Sequence, residues 1–170
     1  MIYLSGIAGD SIVDGPGIRT TFFSQGCPHH CPGCHNPETW EFSGGTPMAE
    51  EDLLEIALSN PLAKGVTFSG GEPFSQAEGF TKLAKLLKAH GFEVASYSGY
   101  TFEALLEGTQ AQRELLSQID VLIDGPFVEA ERSLNLNFRG SRNQRVLNVP
   151  ESLKAGKAVA ETTPRWLGEY

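Results

Sequence analysis

Three cysteines fall within one short run, Cys27-Pro28-His29-His30-Cys31-Pro32-Gly33-Cys34, spaced C-x3-C-x2-C. An odd number of thiols so closely spaced makes a poor disulfide framework and suits a metal or cluster site in a reducing compartment. Thiolate is the usual protein ligand of iron–sulfur clusters, and a loop with this spacing can wrap three sulfurs around one face of a four-iron cube. Three thiolates leave the fourth iron free for a substrate. The prolines stiffen the loop, and Gly33 lets its backbone approach a ligand closely. Structural zinc is the alternative, a Cys3His site with His29, His30 or His35 as the fourth ligand. A lone buried histidine is more often structural than a ligand, so none of the three is assigned to a metal.

A second group is Ser69-Gly70-Gly71-Glu72-Pro73, directly after a strand pattern. Two glycines allow the backbone to present its C=O and N–H groups to a small polar ligand, and Glu72 adds a carboxylate. Alone this is an ordinary tight turn with a capping acid. A zinc staple, however, would not account for glycine-rich turns on the neighbouring strands.

Short β-rich runs alternating with helical patterns must position these loops. Thr20–Ser24 reads as a strand leading into the cysteines. Thr46-Pro47 offers an N-cap and a first-turn proline for a helix with Leu53, Leu54, Ala57 and Leu58 on one stripe. Gly65–Ser69 is the second strand, and the helix after it turns Phe80, Leu83, Ala84 and Leu87 inward until Gly91 caps it. Phe92–Tyr97 is a third strand, ending in Ser98-Gly99-Tyr100. Thr101 caps a helix holding Phe102, Leu105 and Leu106. Asp120–Ile123 is a fourth strand, ending in Asp124-Gly125-Pro126, and Arg145–Val149 is a candidate fifth. This alternation implies parallel βαβ units with right-handed crossovers, too few to close an eight-stranded barrel. The expected fold is α/β, a partial, open (βα)n barrel of four to six parallel strands. Its site lies at the C-terminal strand ends, where ligands of parallel α/β folds bind.

The 170 residues suit one compact domain, 1–170, with a core from about 10 to 150 and no motif in the tail 151–170. Thirteen basic against 21 acidic side chains give a net charge of −8, a poor balance for gripping nucleic-acid phosphates. No apolar run approaches the roughly 20 residues that cross a bilayer. Met1–Ser5 lacks the pattern of a secretory signal, so a cytoplasmic location is expected. Arg132, Arg139, Arg142 and Arg145 stand out in a stretch without Asp or Glu.

The cysteine spacing followed by Gly70-Gly71-Glu72-Pro73 resembles the radical S-adenosylmethionine (SAM) superfamily. Asp14-Gly15-Pro16-Gly17-Ile18-Arg19-Thr20, the stretch Gly26 to Trp40, Ser98-Gly99-Tyr100-Thr101 and Asp124-Gly125-Pro126-Phe127 narrow this further. They resemble the glycyl-radical-enzyme activases, most of all the branch acting on anaerobic ribonucleoside-triphosphate reductase. The likeness runs from about Asp10 to Val149.

The resemblance implies that Cys27, Cys31 and Cys34 hold a [4Fe-4S] cluster and that SAM chelates its fourth iron. Gly70, Gly71 and Glu72 then receive the methionine end of SAM, while Gly33 and His35 lie near the adenine and the cluster. Ser98 and Asp124, at the next two strand ends, face the ribose or the incoming glycine; for Asp124 a plain turn-forming role is the alternative. A reduced cluster gives one electron to SAM, the C5′–S bond breaks, and the 5′-deoxyadenosyl radical takes hydrogen from a glycine of the large reductase subunit. The implied partners are that subunit and a small electron carrier such as flavodoxin or ferredoxin, with no nucleic acid and no membrane. The arginine stretch would steer the acidic carrier, or Arg145 would pair with the SAM carboxylate. An activase of pyruvate formate-lyase or a related glycyl radical enzyme is the first alternative, and a zinc-stapled α/β binding module the second.

Overall fold

The computed structural model describes residues 1–167 and places seven strands in one open sheet of order β3-β1-β2-β4-β5-β6-β7. Its centre is β2 (Arg19–Ser24), β4 (Gly65–Gly70), β5 (Glu93–Ser98) and β6 (Val121–Asp124), all parallel. Their C-terminal ends are level: Ser24 is opposite Gly70, and Ser98 opposite Asp124. The cysteine loop, the Gly70-Gly71 turn, Ser98-Gly99-Tyr100 and Asp124-Gly125-Pro126 therefore leave the same edge of the sheet.

The flanks depart from the sequence reading. β1 (Ile2–Ser11) pairs antiparallel with β2, and its Ile2–Leu4 segment pairs with β3 (Thr46–Met48). Thr46 and Pro47 thus sit in a short edge strand, where a proline is tolerated, rather than capping a helix. The helix α1 (Glu50–Leu58) begins after Ala49, and Leu58 at its end is 41% exposed instead of joining the stripe. β7 (Arg145–Asn148) runs antiparallel to β6, because the connection through 125–144 contains no crossover α-helix to carry the chain back. The parallel strands number four, the sheet is mixed, and it does not close into a barrel.

One face of the sheet carries the main core. Phe22, Val66, Phe68, Val94 and Leu122 meet α1 and α2 (Ala77–Ala89), whose Phe80, Leu83, Ala84 and Leu87 are fully buried as their spacing predicts. The helix after β5 is two pieces, α3 (Phe102–Leu106) and α4 (Gln110–Gln118). Thr101 caps the first, and a Thr109–Gln112 capping box restarts the second. α5 (Val149–Ala155) follows β7.

The other face is sealed at the strand starts by the chain's last described helix, α6 (Pro164–Leu167). Its Trp166 is 2% exposed and clusters with Ala95, Val121 and Ile123. The Arg19 guanidinium lies 5.3 Å from the Trp166 ring centroid and donates to Glu93 at 2.9 Å and to Thr67 at 2.9 Å. Burial lowers the Arg19 pKa, an effect that Glu93 opposes. The tail left without assignment in the sequence thus sends Trp166 into the core, while 168–170 lie outside the described residues.

Truncating Trp166 to Ala removes both a cavity-filling side chain and the cover over a buried cation. The expected loss is about 3–5 kcal/mol in urea unfolding. A loss below about 1 kcal/mol would show that the tail merely rests on the sheet.

Candidate functional site

The chain leaving β2 turns at Gly26 (φ 99°) and is clamped by Gly26 N–H donating to Thr39 O at 2.6 Å and Cys27 N–H donating to Trp40 O at 3.1 Å. His30, at φ 47°, stacks on Trp40 with ring centroids 4.6 Å apart. This anchored loop presents Cys27, Cys31 and Cys34 on one wall of a cavity of about 370 Å³. All three cysteines are free thiols. Asn36 N–H donates to Cys34 Sγ at 3.4 Å, and burial pushes the Cys27 thiol up, so a metal is what would hold it as thiolate.

Glu72 links this loop to the next two. It is fully buried, and each of its neighbours donates to it: Ser98 Oγ at 3.0 Å to both oxygens, Gly99 N–H at 2.8 Å and Phe74 N–H at 3.1 Å. The fourth donor is His29 Nε2–H at 2.6 Å, from inside the cysteine loop. The backbone adds Gly71 N–H to Ser24 O and Glu72 N–H to Gly26 O, both at 2.8 Å. Approach this close admits no side chain. A Cβ on Gly71 would lie 2.4 Å from Gly26 O, and one on Gly70 (φ 87°) 2.6 Å from Ser24 N.

The residues expected at the site divide into two groups. Cys27, Cys31, Cys34, His35, Gly70, Gly71 and Ser98 line the cavity together. Glu72, Gly33 and Asp124 are not among its lining residues. Glu72 faces the loops behind the wall, and Gly33 (φ 75°) turns the cysteine loop where a Cβ would lie 2.9 Å from Glu129. Asp124, 1% exposed, accepts from Phe102 N–H at 2.7 Å and from Arg145 at 3.0 and 2.5 Å. Arg145 also reaches Glu103 at 2.7 Å, and these two carboxylates raise its pKa. Its guanidinium is engaged and does not line the cavity. Residues that the sequence did not place at the site add to the walls, among them His29, Tyr97, Phe127, Phe138, Arg139 and Gln144. Phe127 was legible in the Asp124–Phe127 motif, Arg139 in the arginine stretch and His29 as a candidate zinc ligand; Tyr97, Phe138 and Gln144 carried no local signal.

The donor set fits a cluster better than zinc. Among the described residues no three Cys, His, Asp or Glu side chains converge on a single ion position, as a tetrahedral staple requires. A four-iron cluster takes each thiolate on a different iron, and three free thiols on one cavity wall meet that need.

Glu72→Ala would leave Ser98 Oγ, Gly99 N–H, Phe74 N–H and His29 without their acceptor. Even before a cluster is loaded, this should cost on the order of 3 kcal/mol in thermal or urea unfolding and speed amide exchange at Gly99 and Phe74. Unchanged exchange at both amides would rule out the carboxylate as the tie between the loops.

A family model described as a 4Fe-4S single cluster domain matches residues 13–147. The anaerobic ribonucleoside-triphosphate reductase-activating protein of Escherichia coli K12 is 37% identical over 141 residues, 78% of this chain and 90% of that protein. The protein of the same name from Vibrio cholerae is 34% identical over 141 residues, 78% of this chain and 89% of that protein. The pyruvate formate-lyase-activating enzyme of Clostridium pasteurianum is 39% identical over 138 residues, 77% of this chain but 55% of that enzyme. Free thiols on a cavity wall, a glycine turn stitched against them and homology over most of the length agree, and the chain belongs to the radical SAM activating enzymes of glycyl radical proteins, which carry a [4Fe-4S] cluster.

Proposed function

We propose that this activase forms the glycyl radical of an anaerobic ribonucleoside-triphosphate reductase. The observation that carries the reading is the cavity that joins three free thiols to the Gly70-Gly71 turn, in a chain aligned with 90% of the E. coli activating protein. Cys27, Cys31 and Cys34 would hold the cluster. When bound, the cluster supplies the electron that cleaves SAM reductively. Gly70 and Gly71 would offer backbone groups to the methionine end of SAM. Ser98 and His35, at the neighbouring walls, would meet its ribose and adenine. Trp40, Phe127, Phe138 and Leu136 give those walls apolar surface, which excludes water from a reactive intermediate. With α1 and α2 packed on one face of the open sheet and the cavity at its C-terminal strand ends, we read a partial barrel, built as a single domain, whose open side admits a peptide loop of the partner.

A small acidic carrier, a flavodoxin or ferredoxin, is the proposed electron donor in a cytoplasmic setting. Exposed Arg132 and Arg142 are the basic groups available to steer it. Reversing both to Glu should slow reduction by such a protein several-fold at low salt and flatten its salt dependence. Dithionite-driven SAM cleavage should stay at the original rate; an equal fall in both would remove the docking role.

The direct test is anaerobic incubation of the reduced, cluster-loaded protein with SAM and the large reductase subunit. An electron-paramagnetic-resonance doublet of a glycyl radical should appear in step with 5′-deoxyadenosine. Cys27→Ala, Cys31→Ala and Cys34→Ala should each abolish both while leaving the cluster-free fold as stable as before. No radical on the reductase, but one on pyruvate formate-lyase, would transfer the assignment to the second enzyme, a reading kept alive by the 39% identity to the clostridial protein.

A further inference from the structure

We infer that Arg139 binds the carboxylate of the SAM methionine moiety, an assignment that rests on reading the cavity as a SAM site. Arg139 is the one Lys or Arg among the described residues that line the cavity. Among the described residues it makes no ion pair, whereas Arg145, the other candidate for this role, is held by Asp124 and Glu103. The cavity's own carboxylate, Asp14, accepts instead from Ser11 Oγ at 2.6 Å and Thr21 Oγ1 at 3.2 Å. Arg139 Nε is buried with no hydrogen-bond partner among the described residues, while Nη1 donates to Gln144 O at 3.3 Å. A buried guanidinium nitrogen left unpaired is costly, and a carboxylate ligand is the group that a guanidinium fork matches best.

The backbone is forced into shape to place this residue. Phe138, directly before it, has φ 62°, a left-handed conformation that a bulky side chain avoids. It is held there by Tyr97 Oη–H donating to Phe138 O at 2.6 Å and by the Phe138 ring packed edge-on against Trp166 at 5.3 Å. On the far side, Gln144 Oε1 accepts from Gly140 N–H at 2.8 Å, and its amide donates to Gly125 O at 3.1 Å, tying the segment to the end of β6. Strain of this kind, locked by surrounding contacts, is characteristic of ligand clamps. Charge complementarity follows: the Gly70-Gly71 turn offers backbone groups to the amino end of the methionine, and Arg139 supplies the cation for the acid.

The test compares SAM with decarboxylated SAM, which keeps the sulfonium, adenosine and amine but lacks the carboxylate. Both are titrated by calorimetry into anaerobically reconstituted wild-type protein and Arg139→Gln, with iron content and thermal midpoint recorded for each. SAM affinity should fall about tenfold or more in Arg139→Gln, while affinity for the decarboxylated ligand changes less than about twofold. Arg139→Lys should recover part of the loss, and it carries the same comparison if the Gln variant loads no cluster. An unchanged SAM-to-analogue ratio, or equal losses for both ligands, overturns the inference. Wild-type protein that fails to bind SAM at all would instead sink the reading of the cavity, a result distinct from either.

Discussion

The functional edge of this protein depends on one buried carboxylate. Glu72 has no exposure to water, so its charge is tolerable only because four donors surround it. Those donors belong to three loops: His29 to the cysteine loop, Phe74 to the glycine turn, Ser98 and Gly99 to the end of β5. Moving any loop outward would strip a hydrogen bond from a charge that cannot reach solvent. The cysteine wall and the glycine turn are therefore held in register by an electrostatic constraint behind the cavity rather than by anything inside it.

A second ionic centre does the corresponding work at the opposite end of the parallel strands. Arg19, Gly65 and Glu93 are the first residues of β2, β4 and β5, and the guanidinium lies across all three starts. A Cβ on Gly65 would lie 2.4 Å from Arg19, so the glycine there makes room for the cation. Trp166 covers it, with Arg165 also on Glu93 at 3.3 Å. An open sheet has no closing strand to fix its curvature. Here each end of the parallel segment is pinned by a buried charge with a full set of partners.

Between these ends lies the segment 125–144, which gives the cavity its last wall. It has little regular structure and is tied by side chains: Tyr97 and Gln144 to its backbone, Asn143 Nδ2 to Pro126 O at 2.7 Å, and Ser141 Oγ to Asn143 at 2.5 Å. A loop built on such contacts opens locally more easily than a strand does. The same segment brings β7 back antiparallel, so Arg145 meets Asp124 across the ladder and is withdrawn from ligand chemistry.

Much of this was legible in the residues themselves. C-x3-C-x2-C has no better use than a cluster or a zinc, and two glycines followed by an acid after a strand demand a turn of close backbone approach. The α2 stripe follows from periodicity, because burial on one face imposes it locally, and the four parallel strands from short β-rich runs buried on both faces. What depends on partners distant in the chain was not legible. β1 and β3 were not read as strands in the sequence and exist as such because β1 pairs with β2 and β3 with β1. Trp166 is an unremarkable residue near the end of the chain until it is set over Arg19. The roles of Glu72 and Arg145 follow the same rule, since a carboxylate and a guanidinium carry no local mark of whether they will face a ligand or each other. Residue type and spacing determined the chemistry available to this protein; which charges remain free to perform it was decided by long-range pairing, since a buried charge must be satisfied by whatever the fold brings next to it.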